Sequence, residues 1–309
     1  MPATAADSRS DRRREYSGYA LLMLAILFWA GNSIVGRAAA GADIPPLALN
    51  FWRWVTALGV FALLSGRATW RQRRHIVAHW RFIVPFALVT VVGYNCAFYI
   101  ALQTTTALQA TLIQSILPVL VLLLGLCILR TPVTPRQWLG VVLSIGGAAL
   151  IVVRGDAAAM ATLRIQEGDA WALVAVGLWA IQSFAIRWKP RTIDILPLMT
   201  ALSLVAVVAM APLYALETAG GRTMPANWTA VSYVLYAAIG ASLIGTTMWN
   251  EGSWRAGAAQ AGYFGNLYPI FAGALAILVL GEALHWYHVV GALLVFAGIC
   301  LAIFRPARG

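Results

Sequence analysis

Charge is what this sequence has least of. Only 11% of its 309 residues are Asp, Glu, Lys or Arg, against about 25% in ordinary soluble domains, while 61% are hydrophobic. A water-facing surface cannot be built from that composition, so a soluble fold is excluded and a bilayer becomes the expected solvent. Cysteine is scarce: Cys96, Cys127 and Cys300 each lie inside an apolar run. That argues against a disulfide framework or a thiolate metal site and predicts three buried small hydrophobes. The four histidines sit near the ends of apolar runs without metal-ligand spacing, so no metal or other cofactor is expected. The acids are the most telling shortage. Asp43, Asp156, Glu167, Asp169, Glu217 and Glu282 fall at one end of the apolar runs, Asp194 and Glu251 at the other, and none falls at the middle. The usual intramembrane proton carrier is therefore missing, which leaves gradient-driven passage open. A bare metal ion as cargo, which needs clustered carboxylates, thiolates or imidazoles, is disfavoured. No catalytic set is evident either. His285 and His288 have only Glu282 near them, and a lipid enzyme needs a nucleophile-base pair or a metal set. The protein is not expected to be an enzyme.

What is abundant is apolar sequence in pieces of membrane-spanning length. Ten runs are predicted as helices: 18–40, 46–65, 82–102, 106–129, 134–153, 168–188, 193–215, 229–250, 257–281 and 285–304. Each is near the ~20 residues that cross ~30 Å of hydrocarbon. The net charge of +11 would suit nucleic acid, but the arginines lie in the short segments between runs, as cytoplasmic loops require. Nucleic acid is rejected as a partner; the lipid bilayer is the expected one. Placing the N-terminus inside puts 17 of the 22 basic residues on the cytoplasmic side; Arg37, Arg154, Arg164 and Arg222 fall outside, and Arg53 lies within a run. That bias predicts cytoplasmic N- and C-termini and an even number of spans. Residues 1–17, with Arg9, Arg12, Arg13 and Arg14, read as a disordered cytoplasmic tail, and the run after them is too long for a signal-peptide core. The stretch Trp70 to Trp80 mixes Arg, His and Trp; a helix lying on the inner surface and a solvated basic loop are both compatible with it.

The chain repeats itself. Trp29-Ala30-Gly31-Asn32-Ser33 returns as Trp179-Ala180-Ile181-Gln182-Ser183, an offset of 150 (179 − 29). In each copy Trp and Ser are four apart and share a helical face. Gln109 and Pro118 recur as Gln260 and Pro269, and Gly140 as Gly291, at an offset of 151 (269 − 118; 291 − 140). Residues 18–153 and 168–304 therefore form two five-helix units. Five is odd, so the second unit enters the membrane from the opposite side, the inverted repeat of many secondary transporters. The expected fold class is thus all-α integral membrane, with ten transmembrane helices in two inverted repeats around a central cavity.

Polar side chains concentrate in the first, third, fourth, sixth, eighth and ninth runs. A polar group at mid-membrane is costly against lipid, so these runs are predicted to line the cavity. Its wall is assigned to Trp29, Asn32 and Ser33; Tyr94, Asn95 and Tyr99; Gln109 and Gln114; Trp179, Gln182 and Ser183; and Tyr263 and Asn266. For any one of them an interhelical hydrogen bond is the competing reading. The fifth and tenth runs have almost no polar content but carry Gly140, Gly146, Gly147, Gly291 and Gly298. They are assigned to a scaffold at the periphery or at a subunit contact, with a monomer or weak homodimer expected. Pro118 and Pro269 sit near the centres of their runs and each removes one backbone bond; hinges and fixed kinks both fit. Arg53 lies roughly 10 Å from the outer end of its run at ~1.5 Å per residue. Its repeat mate is Ser203. It is placed either to bind a substrate carboxylate or to hold a helix end. A cavity of amides, hydroxyls and aromatic faces suits a neutral or zwitterionic organic solute.

Phe28-Trp29-Ala30-Gly31-Asn32-Ser33 followed by Pro45-Pro46 and Arg53, the two Ala-x-Gln-Ala…Pro stretches, and Leu280-Gly281-Glu282-Ala283-Leu284 with Gly291 resemble an EamA-type member of the drug/metabolite transporter superfamily over essentially the whole chain. The resemblance implies ten helices, a five-plus-five inverted repeat and export of small metabolites across the cell inner membrane. The Trp- and Tyr-rich cavity set is most similar to the aromatic amino acid exporters of the YddG type. Amino acids, aromatic and other neutral ones, are then the expected substrates, with nucleosides, sugars or quaternary ammonium drugs as the alternative. One departure stands out: where the family often has a Glu after the fourth helix, this chain has Leu129-Arg130-Thr131-Pro132.

Overall fold

The structure, a computed structural model, describes residues 5–130, 133–156, 165–190 and 192–303, but not the side chains of 5–14, 258, 259, 262, 263, 302 and 303. Ten helical stretches follow one another and no strand occurs among the described residues. They are α1 (Ala5–Gly41), α2 (Pro46–Ala78), α3 (Trp80–Thr104), α4 (Ala107–Leu129), α5 (Pro135–Val152), α6 (Glu167–Trp188), α7 (Ile195–Ala219), α8 (Trp228–Ala256), α9 (Ala258–Gly265 and Tyr268–Leu280) and α10 (Trp286–Ile303). Among the described residues, eight helices are long and apolar enough to cross a membrane, and Tyr268–Leu280 and Trp286–Leu301 are shorter apolar helices.

Local chemistry sets the boundaries. Pro45 and Pro46 start α2, where a fixed φ and a missing N–H are harmless. Thr106 accepts from the Gln109 N–H at the start of α4, Asn227 accepts from the Ala230 N–H at the start of α8, and Thr134 with Gln137 forms a capping box on α5. The fourth helix of each half ends on a left-handed residue, Arg130 (φ 53°) and Gly281 (φ 66°); glycine adopts that conformation freely and arginine does not.

Several expectations change. α1 reaches back to Ala5, so residues 5–17 continue the helix rather than forming a disordered tail; residues 6–17 include four Arg and contain no Gly or Pro to stop it. α2 runs on to Ala78, so Trp70 to Ala78 is neither a separate surface helix nor a loop. At 33 residues α2 is roughly 50 Å long at ~1.5 Å per residue, well beyond the hydrocarbon thickness. Pro118 and Pro269 each follow a break in their helix. α4 is interrupted between Gln114 and Leu117, α9 between Gly265 and Tyr268, and each proline lies in the first turn of the second piece. Of the three cysteines only Cys96 is buried; Cys127 and Cys300 are exposed on helix surfaces. Hydropathy cannot separate a core-facing from a lipid-facing thiol, since both surroundings are apolar.

The packing carries the internal symmetry. α1 packs on α8 and α9, and their counterparts α6, α3 and α4 pack in the same pattern; α2 pairs with α7, α4 with α9 and α5 with α10. Counterparts run antiparallel. On α2 and α7, Ala48 N–H meets Glu217 at 2.7 Å, Ser65 Oγ meets Thr200 Oγ1 at 2.9 Å, and Gln72 bonds Asp194. α5 and α10 meet through small residues: Ser144 Oγ donates to Val295 O at 3.2 Å, and a Cβ added at Gly147 would lie 2.6 Å from Gly291 O. Gly147→Val is therefore expected to overpack this pair and destabilise the protein by about 1–3 kcal/mol. The check is a lower temperature of aggregation in detergent; Gly146→Val, at a position with open space around it, should leave that temperature within a few tenths of a kcal/mol equivalent.

Candidate functional site

The π-helical segments decide where the site is built. α3 winds into a π-helix over Leu88–Tyr94 and α8 over Tyr236–Gly245, at matching places in the two halves. A π turn shifts the backbone ladder and leaves carbonyls facing side chains. Trp29 Nε1 donates to Ala241 O at 3.2 Å. Asn95 Nδ2 donates to Thr90 O at 3.0 Å and Val91 O at 3.2 Å, and Ser242 Oγ to Ala237 O at 3.0 Å.

Two connected groups of side chains form around these segments. In the first, Arg53 of α2 is buried and donates from Nε to Ser242 Oγ at 2.8 Å and from Nη1 to Asn95 Oδ1 at 2.8 Å and Tyr99 OH at 2.9 Å. Tyr99 OH in turn donates to Asn32 Oδ1 at 2.8 Å. The second group is aromatic. Ser33 Oγ and Tyr268 OH are 2.6 Å apart. Tyr268 stands edge-on to Trp179 at 5.7 Å, Trp179 lies 5.5 Å from Tyr94, and Tyr94 OH donates to Gln114 Oε1 at 3.1 Å. Trp29 packs on Trp249 at 5.0 Å. Neighbouring residues Asn32 and Ser33 join the two groups. Each repeated tryptophan meets the other half: Trp29 contacts α8, and Trp179 contacts Tyr94 of α3. Gln114 Nε2 is buried with no hydrogen-bond partner, an amide donor at the break in α4.

The structure thus gathers Trp29, Asn32, Ser33, Tyr94, Asn95, Tyr99, Gln114 and Trp179. Gln182 and Ser183 are half-buried one turn beyond Trp179, and Asn266 is half-buried at the break in α9. The side chain of Tyr263 lies outside the described residues. Gln109 belongs elsewhere: its Nε2 donates to Ile151 O at 2.7 Å and Asp169 Oδ2 at 3.3 Å, and its Oε1 meets His288 Nε2 at 3.0 Å. It ties α4 to α5, α6 and α10 and does not face the aromatic group. Tyr268 and Trp249, polar residues of the cavity-lining runs, and Ser242 lie outside the wall assigned from sequence. Tyr268 directly precedes Pro269, and a polar aromatic beside a helix break was the available signal. For Ser242 there was none, because nothing in the local sequence announces a π segment.

The two ends of the bundle differ. At the end carrying Arg37, Arg37 Nη1 donates to Leu102 O at 3.0 Å and Gln103 O at 3.3 Å, and its Nε lies 3.9 Å from Glu282. Glu282 accepts from the N–H groups of Ala107 and Leu108, both at 2.8 Å, where the helix dipole favours an anion. Buried Asp169 accepts from Thr105 Oγ1 and Gln109 Nε2 and lies 3.9 Å from Arg154. A cavity of about 470 Å³, lined by Arg37, Gln103, Thr106, Leu280 and Glu282, sits at this end. At the opposite end the mate of Arg37 is Arg187 (187 − 37 = 150). Among the described residues its Nε donates within its own helix, to Phe184 O at 2.8 Å, and its guanidinium covers the Phe184 ring at 3.9 Å. Among the described residues, the ends of α6 and α8 there make at most marginal contact, as do the second piece of α4 and the first piece of α9, whereas α1 with α3 and the first piece of α4 with the second piece of α9 pack closely. Among the described residues the Arg37 end is therefore the more closely packed, closed end, and the opposite one is the looser, parted end. Among the described residues no three His, Cys, Asp or Glu gather into a metal site.

Comparison with known proteins agrees with this architecture. A family model described as the EamA-like transporter family matches residues 16–153 and again 166–304. The chain is 24% identical over 260 residues to the uncharacterized transporter YyaM of Bacillus subtilis, covering 81% of this chain and 82% of that one. It is 25% identical over 283 residues to an uncharacterized transporter of Archaeoglobus fulgidus, covering 91% and 95%. A crystal structure of 19% identity superposes with a TM-score of 0.61 over 94% of this chain and 96% of its own, which speaks for the fold alone. With each half matched separately over nearly its full length, the chain belongs to the EamA-like transporter family and is a multi-pass membrane transporter.

Proposed function

We propose that this transporter exports amino acids, aromatic and other neutral ones, together with related small metabolites, across the cell inner membrane by alternating access. In this reading all ten helical stretches cross the bilayer as two inverted units, both termini are cytoplasmic, and the closed end faces outward. The parted end then opens to the cytoplasm. The observation that carries the reading is the Ser33–Tyr268–Trp179–Tyr94–Gln114 chain, which lies where the two halves meet. Its ring faces suit an apolar or aromatic body, and its hydroxyls and amides, including the unpartnered Gln114 Nε2, suit a polar head. The proline-started second pieces add acceptors. Pro118 and Pro269 have no N–H for the carbonyls four residues earlier, those of Gln114 and Gly265, and exposed carbonyls at broken helices are where transporters hold cationic groups. Pairing of α5 with α10 inside one chain occupies the small-residue faces that a homodimer would use and favours a monomer.

Purified protein in liposomes should carry labelled phenylalanine, tryptophan and leucine down their gradients. Absence of flux for every amino acid with folded protein contradicts the reading, and competition by nucleosides, sugars or quaternary ammonium compounds instead supports the other substrate classes. Within the amino acid reading, Trp179→Ala should lower flux severalfold, since aromatic contacts are worth roughly 0.5–1.5 kcal/mol each, at unchanged folded yield. A second expectation concerns the closed end. Arg37→Ala removes charge-assisted bonds worth about 1.5–3 kcal/mol each and should shift the resting population toward the outward-open form. In a background without native cysteines, a Ser33→Cys thiol should react faster with an impermeant external reagent once Arg37 is replaced; an unchanged rate contradicts the gating role.

A further inference from the structure

Among the described residues the buried guanidinium of Arg53 has no counter-ion. It is 6% exposed, and among the described residues no carboxylate lies within ion-pair distance of it. Its three bonds go to neutral oxygens of Ser242, Asn95 and Tyr99, and the rings of Trp54 and Tyr99 lie 5.2 and 5.8 Å from its Cζ. Neutral partners and ring faces orient a guanidinium but leave its charge uncompensated. An uncompensated charge inside an apolar medium costs several kcal/mol, so a purely packing role would be better served by an uncharged donor.

The internal symmetry makes the same point independently. Arg53 lies on α2, and its mate on α7 is Ser203 (203 − 53 = 150), fully buried with an unpartnered Oγ. α7 therefore holds its place without a cation at this position. A device needed to seat the second helix of each half would be expected twice; this one occurs once.

The charge is also connected to the aromatic group. Tyr99 OH accepts from Arg53 and donates to Asn32 Oδ1, whose neighbour Ser33 bonds Tyr268 beside Trp179. A solute with its ring among Tyr94, Trp179 and Tyr268 is thus separated from the guanidinium by one layer of side chains, Asn32 and Tyr99. Both are amide or hydroxyl groups able to exchange one hydrogen-bond partner for another.

We infer that Arg53 is the anion anchor of the transport site and that it selects solutes joining an apolar or aromatic body to a carboxylate. The carboxylate takes the place of Asn95 Oδ1 or Tyr99 OH on the guanidinium and supplies the missing countercharge. A zwitterion's ammonium group then falls to the ring faces and to the carbonyls of Gln114 and Gly265. The inference rests on the transport reading above and deepens it by naming the substrate group that Arg53 reads.

The test compares phenylalanine with phenylalaninamide, which lacks the carboxylate, as labelled solutes in proteoliposomes. Wild type should favour phenylalanine by about tenfold or more, a charge-assisted bond being worth roughly 1.5–3 kcal/mol. Arg53→Gln should bring the ratio to near one, and Arg53→Lys should keep part of the preference. Asn95→Asp retains the shape of the site while giving Arg53 an internal carboxylate, so it should lower the ratio in the same direction even if Arg53→Gln fails to fold. A structural role predicts instead that each variant lowers both fluxes together with the ratio unchanged, and that result overturns the inference while leaving amino acid transport standing. If wild type moves neither phenylalanine nor any other carboxylate-bearing solute, both the inference and the reading beneath it fall. If it moves the amide as readily as the acid, only the inference falls.

Discussion

A buried polar group in an apolar medium must find its partner within the protein, because lipid offers none. That constraint organises this structure. The indole of Trp29 is satisfied by a carbonyl that a π turn in α8 presents, and Asn95 and Ser242 are satisfied in the same manner by carbonyls of the π segments in their own helices. The hydroxyls of Ser33 and Tyr268 satisfy each other across two helices far apart in sequence. Every one of these bonds lies at the inner surfaces where the halves meet, while outward-facing surfaces such as those of Cys127 and Cys300 carry groups that need no partner. The polar interior follows from the solvent as much as from the sequence.

The duplicated architecture gives function a place to act by breaking the symmetry. Arg37 bridges α1 to the end of α3, while Arg187 at the equivalent position is folded back on its own helix. Glu282 caps the start of α4; the position 151 residues earlier is Thr131, which offers no carboxylate to the start of α9. Arg53 stands opposite Ser203. Two of these differences fall at the ends of the bundle and one at its middle. In the transport reading the end differences set which side is closed at rest, and the middle one sets what is carried.

Much of this was legible from residue order. The four-residue spacing of Trp29 and Ser33 marked an inward face, and the glycines of the fifth and tenth runs marked helices able to pack closely, because helical periodicity and side-chain volume are properties of the sequence itself; that these two helices pack on each other, and that Gly146 faces open space, needed the structure. The offset of 150 to 151 residues likewise identified which helices correspond. Other features were out of reach. A π segment has no period that hydropathy can detect, so the reason Asn95 and Ser242 matter became visible only with the backbone. Gln109 has the same chemistry as Gln114 and sits on the same helix, yet one ties the closed end together and the other faces the aromatic group; only the position of Asp169 and His288 separates them. That Pro118 lies in the first turn of a new helical piece needed the backbone, since a proline can bend a helix or begin one.

The central claim is that the two halves exchange which end is closed around one shared polar and aromatic interior. Paired distance measurements between spin labels test it most directly, with one pair at Gly41 and Glu167 for the closed end and another at Trp188 and Trp254 for the parted end, read in proteoliposomes with and without a transported solute. The account predicts opposite changes: the first distance lengthens as the second shortens. Two distances that stay fixed under active transport, or that lengthen together, would contradict it.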